Sequence, residues 1–102
     1  MAILHTVSRS AYQDAALASC LKVALPGCVV LLIEDGVYAA RAGGEIAHVI
    51  NGAAAPIQVY ALHADLLARG ITSSELIERV QVVDYDGFVR LACEADQVLA
   101  WF

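Results

Sequence analysis

The stretch Leu31-Leu32-Ile33-Glu34-Asp35-Gly36-Val37-Tyr38-Ala39-Ala40 decides the fold class. It closes an unbroken apolar run, Cys28 to Ile33, with two carboxylates and a glycine, and then becomes helix-permissive. A run that is apolar on both faces suits a strand buried within a parallel sheet better than a half-exposed one. In open α/β sheets, ligands and partners gather beyond the carboxyl ends of such strands. Glu34 and Asp35 therefore stand where chemistry or recognition would be placed. They also have a purely structural use: Asp35 can cap the next helix, and Glu34 can sit near its positive end.

The same alternation extends along the chain. Ile3 to Val7 reads as a first strand. Ser10 and Gln13 have the spacing of a capping box, so a helix is predicted from about Ala11 to no later than Leu25, where Pro26-Gly27 stops it. Cys28 to Ile33 is the second strand. A short helix from about Val37 closes at Gly43-Gly44, and Glu45 to Ile50 adds a turn or two before Asn51-Gly52. Ile57 to Leu62 is the third strand, followed by helical turns over Asp65 to Arg69 that Gly70 ends. Thr72 and Glu75 form a second capping-box pair. Val80 to Val83 is the fourth strand. Asp84 or Asp86 caps a last helix reaching about Glu94, and Val98 to Trp101 is a fifth strand. Strands alternating with helices predict a single three-layer α/β/α domain over residues 1–102, with a mainly parallel sheet of about five strands and right-handed crossovers. The strand order is not readable.

Composition narrows the function. Of the 102 residues, 60% are hydrophobic, and the mean hydropathy is +0.66. That is high for a small monomer, in which surface dominates volume. Charges or polar residues interrupt every apolar run before it reaches membrane-spanning length, and no basic segment precedes an apolar one at the N-terminus. A cytoplasmic chain whose surplus apolar surface is covered by other protein chains is expected. The formal net charge is −5, and the six Lys and Arg lie singly at positions 9, 22, 41, 69, 79 and 90. Without a basic stripe, direct nucleic-acid binding is not expected. The glycines form neither GxGxxG nor a phosphate loop, so no nucleotide cofactor is expected.

Cys20, Cys28 and Cys93 make an odd count without CxxC spacing, as free thiols in a reducing compartment would. His5, His48 and His63 are scattered and form no close ligand pair, so no metal site is expected. Cys28 and Cys93 read as core or near-core thiols. Cys20 lies about 60° from the centre of a Leu17, Leu21, Ala24 stripe, at its border. That position either packs the sulfur or opens it to a groove or partner. Nothing adjacent would lower its pKa. Four carboxylates, Glu34, Asp35, Asp84 and Asp86, are predicted at one sheet edge, with capping as the simpler role than acid–base work. Ser8, His5 and Asp35 supply the residue types of a triad, but no nucleophile elbow accompanies them.

Several motifs occur in a telling order: Ile3-Leu4-His5-Thr6-Val7-Ser8-Arg9-Ser10, Leu31 to Ala40, Ile57 to Leu62 with Asp65-Leu66 and Ala68-Arg69-Gly70, Val82 to Leu91, and Gln97 to Phe102. Together these resemble the DsrH/TusB family of sulfur-relay subunits, over the whole chain. The resemblance implies a three-layer domain and a heterohexamer built with two homologous sister subunits. It also implies a DsrC-like sulfur-carrier protein as the outside partner. Persulfide sulfur would pass between cysteines of different chains, the principal acceptor lying on a sister subunit. Members serving tRNA 2-thiouridine synthesis commonly lack a cysteine in the first helix, whereas DsrH members from sulfur-oxidising bacteria commonly carry one. Cys20 in Ala18-Ser19-Cys20-Leu21-Lys22 therefore points to the sulfur-oxidising branch, with Cys20 as the site that would carry the persulfide. The tRNA wobble-uridine thiolation subunit is the alternative, and a purely structural subunit a further one.

Overall fold

A computed structural model describes residues 3–44, 47–52 and 57–101. The five strands are β1 (Ile3–Val7), β2 (Val29–Leu32), β3 (Gln58–Leu62), β4 (Val80–Val83) and β5 (Gln97–Trp101), and all neighbours pair in parallel. Their order across the sheet is β4-β3-β2-β1-β5. The α-helices are α1 (Ala16–Val23), α2 (Ala47–Asn51), α3 (His63–Ala68) and α4 (Tyr85–Glu94). Glu34–Ala40 and Ser73–Glu75 are 3₁₀ helices.

The strand order explains where the helices lie. From β1 to β4 the chain advances one strand at a time in one direction. Its connections contribute Leu17, Cys20, Val37, Ala39, Ala40, Ile50 and Leu66 to one cluster with Val7, Val30, Leu32, Val59, Ala61 and Val80 of the sheet. The last connection must return across three strands to reach β5. Right-handed connections then require α4 on the opposite face. There Leu91 and Ala95 lie with Leu4, Val29 and Tyr60 around a slot of about 200 Å³. The three expected layers are present, but unequally filled. One face holds the main core. The other is covered by a single helix that has no buried residue of its own.

Several boundaries differ from the sequence expectation. The first helix begins at Ala16, not near Ala11. Ser10 instead closes a turn, its carbonyl accepting from the N–H groups of Gln13 and Asp14, and the Asp14 carboxylate accepts from Ala16 N–H at 2.8 Å. An Asp so close to the helix start competed successfully with the Ser10–Gln13 signal. The second helical segment starts at Glu34, three residues before the expected Val37, and is 3₁₀ rather than α. The Glu45 end of the next expected helix lies outside the described residues; α2 itself follows at Ala47–Asn51. The Thr72–Glu75 capping box forms on both sides, with Thr72 N–H donating to Glu75 Oε1 at 3.0 Å. No helix among the described residues is long and apolar enough to cross a membrane.

Candidate functional site

Cys20 is built into the main core. Leu17 and Cys20, three residues apart, are the buried residues of α1, while Leu21 and Ala24 only pack against the core from its margin. The buried face is thus rotated from the stripe expected on Leu17, Leu21 and Ala24, and Cys20 lies at its centre rather than its border. It is 0% exposed. Burial, with a further push from Cys28, raises its pKa from 9.0 to about 12. At neutral pH this sulfur is a protonated thiol. Burial and a raised pKa both disfavour thiolate attack on a persulfide in this conformation. Cys28 is also buried, as expected. Cys93 is exposed on α4, contrary to its expected near-core place. The reason is that α4 is alone on its face and turns Leu91 and Ala95, not Cys93, to the sheet.

The rim beyond the strand ends is organised by Arg69. Its Nε and Nη2 donate to Asp35 Oδ1 at 3.0 and 2.9 Å, and its Nη1 donates to the carbonyl of Asp65 at 3.2 Å. The guanidinium also lies 5.9 Å from the centre of the Tyr38 ring. Asp65 Oδ2 accepts from Glu34 N–H at 2.7 Å, which fixes Glu34 at φ +50°. A non-glycine residue in that region is uncommon and is held by its surroundings. Two residues on, a Cβ on Gly36 would overlap the carbonyl oxygen of Val7, so only glycine allows the 3₁₀ helix to pass so close to β1.

Asp35 therefore does not cap the following helix as expected: Ile33 occupies the N-cap, without a side-chain hydrogen bond, and Asp35 ties the 3₁₀ helix after β2 to the C-terminal end of α3. Asp84 does cap, accepting from Gly87 N–H at 2.8 Å. The carboxylates of the two rim segments are thus engaged separately, Asp35 by Arg69 and Asp84 by a helix N-terminus. The triad residue types do not converge either. Trp101 Nε1 donates to His5 Nδ1 at 3.1 Å, so neutral His5 carries its proton on Nε2, a buried atom without a hydrogen-bond partner among the described residues. Burial lowers the His5 pKa below the ordinary 6.5. The Ser8 hydroxyl donates instead to the Trp101 carbonyl at 3.4 Å.

A further rim feature has no motif in the sequence. A cavity of about 380 Å³ opens between α3 and β4, lined by Leu66, Leu67, Ile71 and Val82 with His63 and Thr72. Leu67 is 64% and Val82 40% exposed. The lining supplies apolar contact and offers no thiol. Among the described residues, no group of His, Cys, Asp and Glu could hold a metal ion.

Comparison with known proteins decides the family. The model of the "DsrH like protein" family matches residues 9–98. The chain belongs to the DsrH-like family. It is similar to TusB of Pectobacterium parmentieri, 40% identical over 99 residues, which make up 97% of this chain and 100% of that one. TusB of Escherichia coli strain K12 / DH10B is 37% identical with the same coverage. The crystal structure of the ychN protein from E. coli superposes with a TM-score of 0.76 over 99% of both chains, at 17% identity, which supports the fold alone. The family is thus the sulfur-relay family that the sequence motifs resemble, and the architecture is shared beyond it.

Proposed function

We propose that this chain is a TusB-like subunit of a sulfur-relay complex serving 2-thiolation of the tRNA wobble uridine. The full-length similarity to TusB proteins carries the reading. The expected sulfur-oxidising role rested on Cys20 alone, and a core thiol with a pKa near 12 lends that distinction no support. The work of the subunit is then architectural. It builds the complex with two homologous sister subunits as a heterohexamer, and persulfide sulfur travels on sister-chain cysteines to a DsrC-like carrier protein. In this reading Cys20, buried in the main core, packs α1 against the sheet and carries no persulfide sulfur. The chain itself does not bind the tRNA, since its charge is −5 and its cations are dispersed.

The test is genetic replacement. In a bacterium deprived of its own TusB, this chain should restore 2-thiouridine in tRNA, measured by mass spectrometry of nucleosides, and its Cys20→Ser variant should do so as well. Failure of the unmodified chain to restore any 2-thiouridine, while folding and assembling with the host's sister subunits, would sink the reading.

A further inference from the structure

The sheet ends at β5, and β5 is unusual among the strands. Gln97, Val98, Leu99 and Ala100 are all exposed and Trp101 is only half-buried. Val98 is 49% and Leu99 43% exposed, and they point to opposite faces of the sheet. The segment carries no charge, no proline and no glycine. Sheet edges in soluble proteins are normally guarded by such residues or covered. This one is open on its outer side and thinly covered on both faces.

The hydrogen-bonding direction of that edge can be assigned. Ser8 N–H donates to the Trp101 carbonyl at 3.3 Å, so the backbone groups of Trp101 face β1. By alternation those of Leu99 and Gln97 do so too, and those of Val98 and Ala100 point outward. Charge is also polarised along the edge. Glu94 and Asp96 precede β5 at its N-terminal end. Arg9, exposed and next to Ser8, lies at its C-terminal end.

We propose that β5 pairs with β5 of a second copy of this chain, antiparallel, about a twofold axis through Leu99. In that register Val98 lies opposite Ala100 of the other copy. The two residues exchange N–H and C=O bonds on each side of the axis, and Leu99 meets its symmetry mate in the closer, non-hydrogen-bonded pair. The outward groups of both chains are used, and the sheet becomes ten-stranded. The polarised charge makes the edge self-complementary: antiparallel pairing of two copies puts each Arg9 towards the acidic end of the other, whereas parallel pairing would bring like ends together. A two-fold contact is self-complementary in this sense. Five residues per chain bury less than a standard interface of about 800 Å² per partner, so the association is a concentration-dependent equilibrium. The proposal rests on the sheet edge and is independent of the sulfur-relay reading.

Sedimentation equilibrium of the purified full chain tests it, with circular dichroism to monitor folding. The chain should show a monomer–dimer equilibrium that weakens with added salt. Ala100→Pro removes an outward N–H and leaves the β1 pairing intact, so it should weaken dimerisation about 100-fold with an unchanged spectrum. If that variant unfolds, Leu99→Lys serves in its place by setting two cations on the axis. Arg9→Glu should weaken the dimer about tenfold, and Arg9→Glu combined with Glu94→Arg should recover most of it. A chain that stays monomeric at every concentration overturns the proposal. So does a dimer indifferent to a folded Ala100→Pro or Leu99→Lys variant, or an edge that pairs only when a different chain is added.

Discussion

At the scale of single residues, the cysteines separate by environment rather than by sequence. Alkylation of the native chain should label Cys93 and spare Cys20 and Cys28, as peptide mass spectrometry would record; rapid labelling of Cys20 would contradict its burial. Cys20 also makes stability depend on pH. Its folded pKa of about 12 lies above the ordinary 9.0, so the unfolded chain loses this proton first. The contribution is complete below pH 9 and is lost as pH rises towards 12. Chemical denaturation across that range should show a steeper alkaline loss for the native chain than for Cys20→Ala. Cys20→Ser should cost about 1–3 kcal/mol, because a hydroxyl is placed among apolar neighbours. His5 works in the other sense: its lowered pKa favours folding above about 6.5, and the benefit fades as pH falls.

At the scale of elements, the rim depends on one glycine and two kinds of carboxylate contact. Gly36→Ala should destabilise the chain by roughly 3 kcal/mol, because its Cβ meets a backbone oxygen that cannot turn aside. Asp84→Ala should cost about 1 kcal/mol and Asp84→Asn much less, since asparagine also caps; thermal unfolding of the pair would separate a cap from a charge requirement. These elements also mark how far the sequence could be read. Strands announced themselves as apolar runs, and Asp84 and the Thr72–Glu75 box as local spacings, because short-range chemistry determines them. The start of α1 was misplaced because two N-terminal signals, Ser10 and Asp14, lie four residues apart and only one ends up at the helix. Asp35 was misassigned because Arg69, its partner, is 34 residues away. The core position of Cys20 depends on how α1 rolls against β1 and β2, and periodicity alone gives that angle only to about one residue step.

At the scale of the whole molecule, strand order was invisible in the sequence yet governs the surface. Because the β4–β5 connection alone crosses the second face, α4 is solitary and β5 is left thinly covered. Tyr85, Val89, Val98 and Leu99 are exposed together with Leu67 and Val82 across the molecule. Much of the surplus hydrophobicity evident in the composition lies in α4 and at the two sheet edges, with Tyr12, Val23 and Leu25 exposed around α1, where partner chains can cover it. That distribution, a core cysteine and an apolar periphery, is what an architectural subunit requires. The most direct measurement is native mass spectrometry of the chain co-expressed with the two sister subunits proposed for it and loaded from a persulfide donor. An assembly holding all three chains is expected, with the added sulfur on a sister subunit and none on this chain. Added sulfur on Cys20, or a chain that remains outside the assembly, would contradict it.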